Sequence, residues 1–396
     1  MPITITTTPD KLVASKNDSW SFVQTDDQNV VIQMNAFDAT ANKKIASLIA
    51  PVDANNKAMF NSKRILQSMG VVPDVLGAQL PSFAQNIASL SNNNIKAYYL
   101  QFQTINKANA QVISTAQTSN LQVLLSGKSF INGNKNLLQI IGDGAGVQRK
   151  FLTCQPQARK TSKSTQQYLF YYHNENGIST GATSFSMRVT MLLNDDSTIV
   201  KVVTPITLTH GQVAIFPVGY TQLNLGQYAP ANKKITSYDV RLVLTSDSSK
   251  VISNVFTYQI DTRCLIRKKD FLFLNSLGGL DTMTAIDTQE IISNVQTEIA
   301  QRMLPYQYNT HDGEYYNFFK LSSLAMKCIS DLLTYDERLY LQEFFLSTNV
   351  YEITSTDFVP VILTDGDLSL HKARNDLQSV PFAFRYAFDE IAYNNF

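Results

Sequence analysis

Alternation at period two constrains this chain more than any other feature. Between residues 184 and 193, Phe185, Met187, Val189, Met191 and Leu193 fall on one side, and Ser184, Ser186, Arg188 and Thr190 on the other. Successive side chains of a strand point to opposite faces, so the spacing predicts a strand with one face on a core. Asn194, Asp195, Asp196 and Ser197 supply turn residues, and the β-branched run 198–203 supplies the return strand of an antiparallel hairpin. A second hairpin follows: residues 238–244 alternate, 246–250 turn, and Phe256, Tyr258 and Ile260 alternate again. With strands at 168–172 and 212–216, the region 151–264 holds six or seven short strands at the spacing of a β-sandwich.

The first 150 residues repeat this plan. Val30, Ile32, Met34 and Ala36 alternate, a turn passes through 38–42, and 45–50 reads as the return strand. A local match ties the two regions together: Ile95, Tyr98, Leu100 and Phe102 align with Ile235, Tyr238, Val240 and Leu242. In each copy a tyrosine opens an alternating strand, the place where sandwich folds put a tyrosine whose hydroxyl closes a corner. A duplication is the expectation.

The last third mixes types. Residues 271–274 read as a short buried strand ended by Ser276, Leu277, Gly278 and Gly279. Thr334 and Glu337 stand at capping-box spacing ahead of a helix running to about Phe345 or Leu346, with Leu341, Phe344 and Phe345 on its buried side. Residues 358–363 form a strand whose Pro360 argues for a sheet edge or a strand end. Phe382, Phe384, Tyr386 and Phe388 form a last alternating strand with an aromatic face that must be covered. The expected domains are a sandwich-like domain at 1–150, a second sandwich at 151–265 and a smaller α+β domain at 266–396.

Composition narrows the function classes. The 396 residues are 44% hydrophobic and 16% charged, against about 25% charged in ordinary domains. Asn, Gln, Ser and Thr fill the polar positions, which suits broad hydrogen-bonded contact between subunits. Thirty-three basic side chains oppose 32 acidic ones, a balance that argues against nucleic acid as the main ligand. The N-terminal segment lacks a basic n-region and an apolar h-region. No apolar run reaches the roughly 18 residues of a membrane span. The chain is therefore expected to be made in the cytoplasm without membrane insertion. Cys154, Cys264 and Cys328 read as reduced, buried thiols, although a Cys154–Cys264 bridge is geometrically imaginable.

Motifs that carry chemistry fail their spacing tests. Gly177, Ser179 and Gly181 match a nucleophile pattern but lie in a loop between strands, not on a strand-to-helix turn. Gly127-Lys128-Ser129 would need a glycine where Gln122 stands to make a phosphate loop. Gly142, Gly144 and Gly146 would need a glycine at Val147 to make a dinucleotide fingerprint. His173, His210, His311 and His371 are scattered, and His311-Asp312-Gly313-Glu314 reads as a surface turn. No catalytic residue, cofactor or metal is expected. Arg263, Arg267, Lys268 and Lys269 form the one dense basic patch, read either as a solvated linker or as a docking surface for an acidic face of a partner subunit.

Several stretches carry a resemblance. They are the run 258–282, with its FLFLNSLGGLDT; Phe151-Leu152-Thr153-Cys154-Gln155-Pro156; Phe216-Pro217-Val218-Gly219-Tyr220; the helix 335–346; Val350-Tyr351-Glu352-Ile353; Pro360-Val361-Ile362; and the closing aromatic strand. In these the chain resembles uncharacterised tail or baseplate-type virion structural proteins of Bacteroidetes phages and prophages. The group carries an aromatic where this chain has Cys154, which suggests a repacked core position. The resemblance implies tandem fibronectin III or immunoglobulin-like sandwiches in a non-enzymatic virion component. Its expected site is the tail tip or baseplate, in a symmetric ring with copies of itself and other virion proteins. The alternatives are a neck or head-decoration protein, and a receptor-binding or fibre-attachment protein that holds host-surface glycan through Tyr171, Tyr172 and Tyr228.

Overall fold

The computed structural model describes residues 2–69, 87–91, 94–142, 148–174, 181–355, 357–365 and 377–389. The chain is mainly β and divides into two compact units. Unit 1 comprises Met1–Asp261 with Asn275–Asp281, and unit 2 comprises Thr262–Leu274 with Thr282–Phe396.

Unit 1 begins with β1 (Thr4–Thr7), β2 (Leu12–Ala14), β3 (Trp20–Gln24), β4 (Val30–Asp38), β5 (Lys43–Pro51) and β6 (Lys57–Asn61). The short helix α1 (Lys63–Ser68) follows, then β7 (Ser89–Ser91), β8 (Ile95–Asn106), β9 (Val112–Gln117), β10 (Leu121–Leu124) and α2 (Leu137–Ile141). Next come β11 (Ala158–Thr161), β12 (Tyr168–Tyr172), β13 (Thr183–Leu193), β14 (Thr198–Leu208), β15 (Val213–Pro217), β16 (Ile235–Leu244) and β17 (Phe256–Ile260).

Two sheets in this unit have the same plan. One runs β2-β10-β8-β4-β5, with β9 also on β8, and the other runs β11-β17-β16-β13-β14. In both, the first strand pairs parallel to the last and the remaining pairs on the path are antiparallel. The facing layers correspond too, since β3 pairs antiparallel with β6 and β12 with β15. The duplication expected from nine residues thus extends to seven strands. Each pair of layers encloses its own core, one containing Val23, Phe60, Met34, Tyr98 and Phe102, the other Tyr171, Phe216, Met187, Tyr238 and Leu242.

The repeats also share backbone. β7, from the first, adds to β15 in the second, and the Tyr172 hydroxyl donates to Gln122 Oε1 at 2.7 Å. The Asn194–Ser197 turn is set by Asp196 at φ 62° and by Asp195 Oδ1, which accepts from Ser197 Oγ at 2.6 Å. The Lys233 ammonium, with help from Ser197, holds the Asp195 carboxyl down at about 2.

Unit 2 contains β18 (Lys269–Leu274), β19 (Leu280–Gln301), β20 (Tyr315–Ser330), α3 (Tyr335–Leu346), β21 (Val350–Ile353), β22 (Phe358–Asp365) and β23 (Pro381–Tyr386). Where an α+β domain was expected, six strands close a barrel in the order β18-β19-β20-β23-β22-β21, with one helix. The α3 capping box forms as the spacing predicts: Glu337 N donates to Thr334 Oγ1 and Thr334 N to Glu337 Oε2. Phe344 packs edge-on against Phe271, Phe273 and Phe382, so the helix face and the aromatic strand complete one core. Leu341 and Phe344 are buried as expected, whereas Phe345 is half-buried and Phe388 exposed.

Pro360 corrects the edge expectation, because β22 lies between β21 and β23. Its ladder with β23 begins only at Val361, and the Pro360 carbonyl accepts from Ala387 N at 3.0 Å. The missing N–H therefore falls where that ladder ends.

Candidate interaction surface

The basic patch is a set of ion pairs. Arg263 pairs with Asp331, Arg267 Nε with Asp287 Oδ1 at 3.0 Å, Lys268 Nζ with Asp270 Oδ2 at 3.0 Å, and Lys269 with Glu352. Glu352 is buried and also accepts from the Tyr386 hydroxyl at 2.7 Å. Burial, reinforced by Glu352, pushes the Tyr386 phenol well above its ordinary range. Each cation meets a carboxylate of its own unit, so the four residues do not present an uncompensated positive field.

The other sequence candidates resolve into structural roles. Lys128 Nζ donates to the carbonyls of Gly133 and Lys135, and its amide to Asn17 Oδ1, which ties the Gly-Lys-Ser stretch into a loop. Gly142 has φ +82°, and a Cβ there would lie 2.2 Å from Gln148 O, so it serves a tight turn. Gly144, Gly146, Val147, Ser179 and His371 lie outside the described residues. His173 is buried with its ring 5.0 Å from that of Phe185. In the 311–314 turn, Asp312 accepts from Asn309 N, and Glu314 accepts from Gln301 Nε2 at 2.6 Å. Among the described residues no three metal-binding side chains converge.

Two expectations need correction. Cys328 is buried, but Cys154 and Cys264 are exposed; Cys154 faces Ser276 Oγ at 3.7 Å and is not a core position. Tyr171 and Tyr172 belong to β12, which is buried along its whole length, so neither offers a face to a sugar. Burial drives both phenols upward. Tyr228 is half-buried beneath Lys201, whose ammonium sits 5.2 Å from the ring centre.

The feature that sequence reading missed is the far part of the β19–β20 hairpin. β20 leaves its neighbour β23 beyond Ala325, while β19 and β20 remain paired from Ile291–Met326 out to Gln301–Tyr315. At about 3.4 Å per residue this ribbon extends about 40 Å. Its side chains are exposed along most of its length. Ile291, Val295 and Ile299 repeat every fourth residue on one face, and Phe318 is 69% exposed. Tyr306, in the connecting loop, is fully exposed. The signal was present as alternation of Ile291, Ser293, Val295, Thr297 and Ile299 answered by the aromatic run 315–319. Two strands alone are marginal in water, and contiguous exposed apolar surface marks an interaction site. The ribbon is the candidate interaction surface.

No family model matches the chain, and no curated protein matches it. Among solved structures it is similar to the full extracellular region of Plexin A4 in two crystal forms, at 9% identity and a TM-score of 0.19 in each. It covers 37% and 31% of those chains. A TM-score that low carries no shared fold or function.

Proposed function

We propose that this chain is a non-enzymatic structural protein of a bacteriophage virion, a tail-tip or baseplate component that assembles with copies of itself and other virion proteins. In this reading unit 1 is a tandem of fibronectin III or immunoglobulin-like sandwiches. The support is the duplicated strand order and Tyr238, whose hydroxyl donates to Val218 O at 2.9 Å from the start of β16, as a corner tyrosine does.

The observation that carries the assembly reading is the exposed apolar ribbon of unit 2. Rows of aromatic and aliphatic side chains in water are costly, and a surface poor in charge offers little to keep neighbours apart. The sequence resemblance supplies the virion context. Mass spectrometry of purified particles from a phage or induced prophage encoding the chain is the test. The reading expects the chain as a stoichiometric component, and its absence from purified virions would overturn it.

A further inference from the structure

We propose that unit 1 carries a sugar site, a polar cavity beside Trp20 that takes a single pyranose ring. Every residue involved belongs to the first repeat, so the site is independent of the virion reading and of the ribbon.

The cavity measures about 170 Å³ and lies between the end of β1, strand β2, the turn leading into β3 and the loop at Lys128. Drug-sized ligands occupy about 300–1,000 Å³, whereas a single water needs only about 10–15 Å³. The space therefore suits one small molecule. Leu12 and Leu137 line it as buried side chains, while Asp10, Asp18 and Trp20 are exposed at its mouth.

Its polar groups show what a ligand must offer. Asn17 and Lys128 are already committed: Asn17 Oδ1 accepts from the Lys128 amide, Asn17 Nδ2 donates to Lys128 O at 3.2 Å, and Lys128 Nζ donates to two loop carbonyls. Asp18 accepts from Asn61 Nδ2 at 2.9 Å and lies 3.6 Å from Lys63 Nζ. Asp10 makes neither a hydrogen bond nor an ion pair among the described residues. Ser19 also lines the cavity and is 4% exposed. Its hydroxyl interacts with that of Tyr98, and neither has a partner within hydrogen-bonding distance among the described residues. A free carboxylate and a buried hydroxyl short of partners both call for hydroxyl groups on the ligand.

Trp20 supplies the other half of the site. It is the sole tryptophan of the chain, 42% exposed, and it is held on β3 opposite Asn61 instead of on a loop. A pyranose has an apolar C–H face and a rim of hydroxyls. Stacked on the indole, it can turn hydroxyls towards Asp10 and Ser19.

Other ligand classes fit less well. A phosphate would meet the Asp10 and Asp18 carboxylates, with the Lys128 ammonium already held by carbonyls. A metal ion would find one free carboxylate, and no three metal-binding side chains converge among the described residues. A cationic ligand would share the cavity with Lys128. An apolar one would leave Asp10 and Ser19 without partners.

With one tryptophan in the chain, intrinsic fluorescence reports on the site directly. The full chain is titrated with D-glucose, D-galactose, D-mannose, N-acetyl-D-glucosamine and L-rhamnose, and with their methyl glycosides. At least one sugar should change the emission saturably, with a Kd of about 1–10 mM for so small a ligand. Asp10→Asn should keep the wild-type thermal transition and raise that Kd about tenfold. Trp20→Ala, followed by calorimetry, should weaken binding at least as much. Equal binding of the methyl glycoside identifies the terminal residue of a larger glycan as the ligand; binding of the free sugar alone identifies the free sugar. No saturable change with any of these sugars would overturn the assignment. So would a Kd that both variants leave unaltered, or a saturable response to inorganic phosphate or choline alone.

Discussion

Asn275 Nδ2 donates to Asp281 Oδ2 at 2.9 Å, across the base of the NSLGGLD turn. The same amide nitrogen donates to Leu152 O at 2.9 Å, and Asn275 Oδ1 accepts from the Leu277 and Gly279 amides. Asp281 accepts from Thr153 Oγ1 at 2.7 Å, and Gly278 O accepts from Asn94 Nδ2. One turn is thus held to both repeats of unit 1. Its glycines are required: a Cβ on Gly278 would sit 2.3 Å from Leu125 O, and one on Gly279 2.2 Å from Leu152 O. The sequence motif that carried the family resemblance is a structural fastening.

Asn275→Ala takes one hydrogen-bond partner from each of the buried Asp281 carboxylate, the Leu152 carbonyl and the Gly279 amide. The expected cost is about 2–4 kcal/mol in urea denaturation. Asn275→Asp keeps the shape but sets a second carboxylate against Asp281. That variant should be weakest at neutral pH and recover as acid neutralises one of the pair.

Tyr238→Phe removes the bond to the Val218 carbonyl and should cost about 1–2 kcal/mol. Tyr98, its counterpart in the first repeat, is equally buried but makes no such main-chain bond among the described residues. Tyr98→Phe should therefore cost less. Equal losses in paired denaturation curves would contradict the assignment of a corner role to Tyr238 alone.

The ion pairs of unit 2 should differ sharply in weight. The Arg267 side chain is 68% exposed, so Arg267→Ala should change stability by about 0–1 kcal/mol. Lys269→Ala leaves the buried Glu352 short of its cation and should cost about 2–4 kcal/mol. Thermal melts of the two variants side by side distinguish them.

Alkaline pH should destabilise the fold. Burial raises the phenol pKa of Tyr98, Tyr168, Tyr171, Tyr172, Tyr238 and Tyr258 above the ordinary value of 10. Below that value both folded and unfolded chains keep these protons. Above it the unfolded chain releases protons that the folded chain retains, and stability falls. Urea midpoints should hold up to about pH 9 and drop by about pH 11, with the phenolate absorbance of these six tyrosines appearing only as the chain unfolds.

Local pattern made much of unit 1 legible. The β13–β14 and β16–β17 hairpins and the β4–β5 hairpin appear where alternation and turn residues placed them. The α3 capping box was equally readable, because Thr334 and Glu337 lie within one helical turn. The barrel was not legible. It closes through β18 with β21 and β20 with β23, pairs far apart in sequence that leave no short-range signature. The paired state of the basic patch was hidden for the same reason, since Asp331 and Glu352 are remote from Arg263 and Lys269 in the chain. The ribbon was missed because alternation was read as evidence of a buried face, and the far part of this hairpin has none.

Electron microscopy of the purified chain tests the central claim most directly. The account predicts closed rings of cyclic symmetry in which the ribbon of each subunit lies in a contact with a neighbour. Particles of monomer size at every concentration, with the ribbon standing free in solvent, would contradict it.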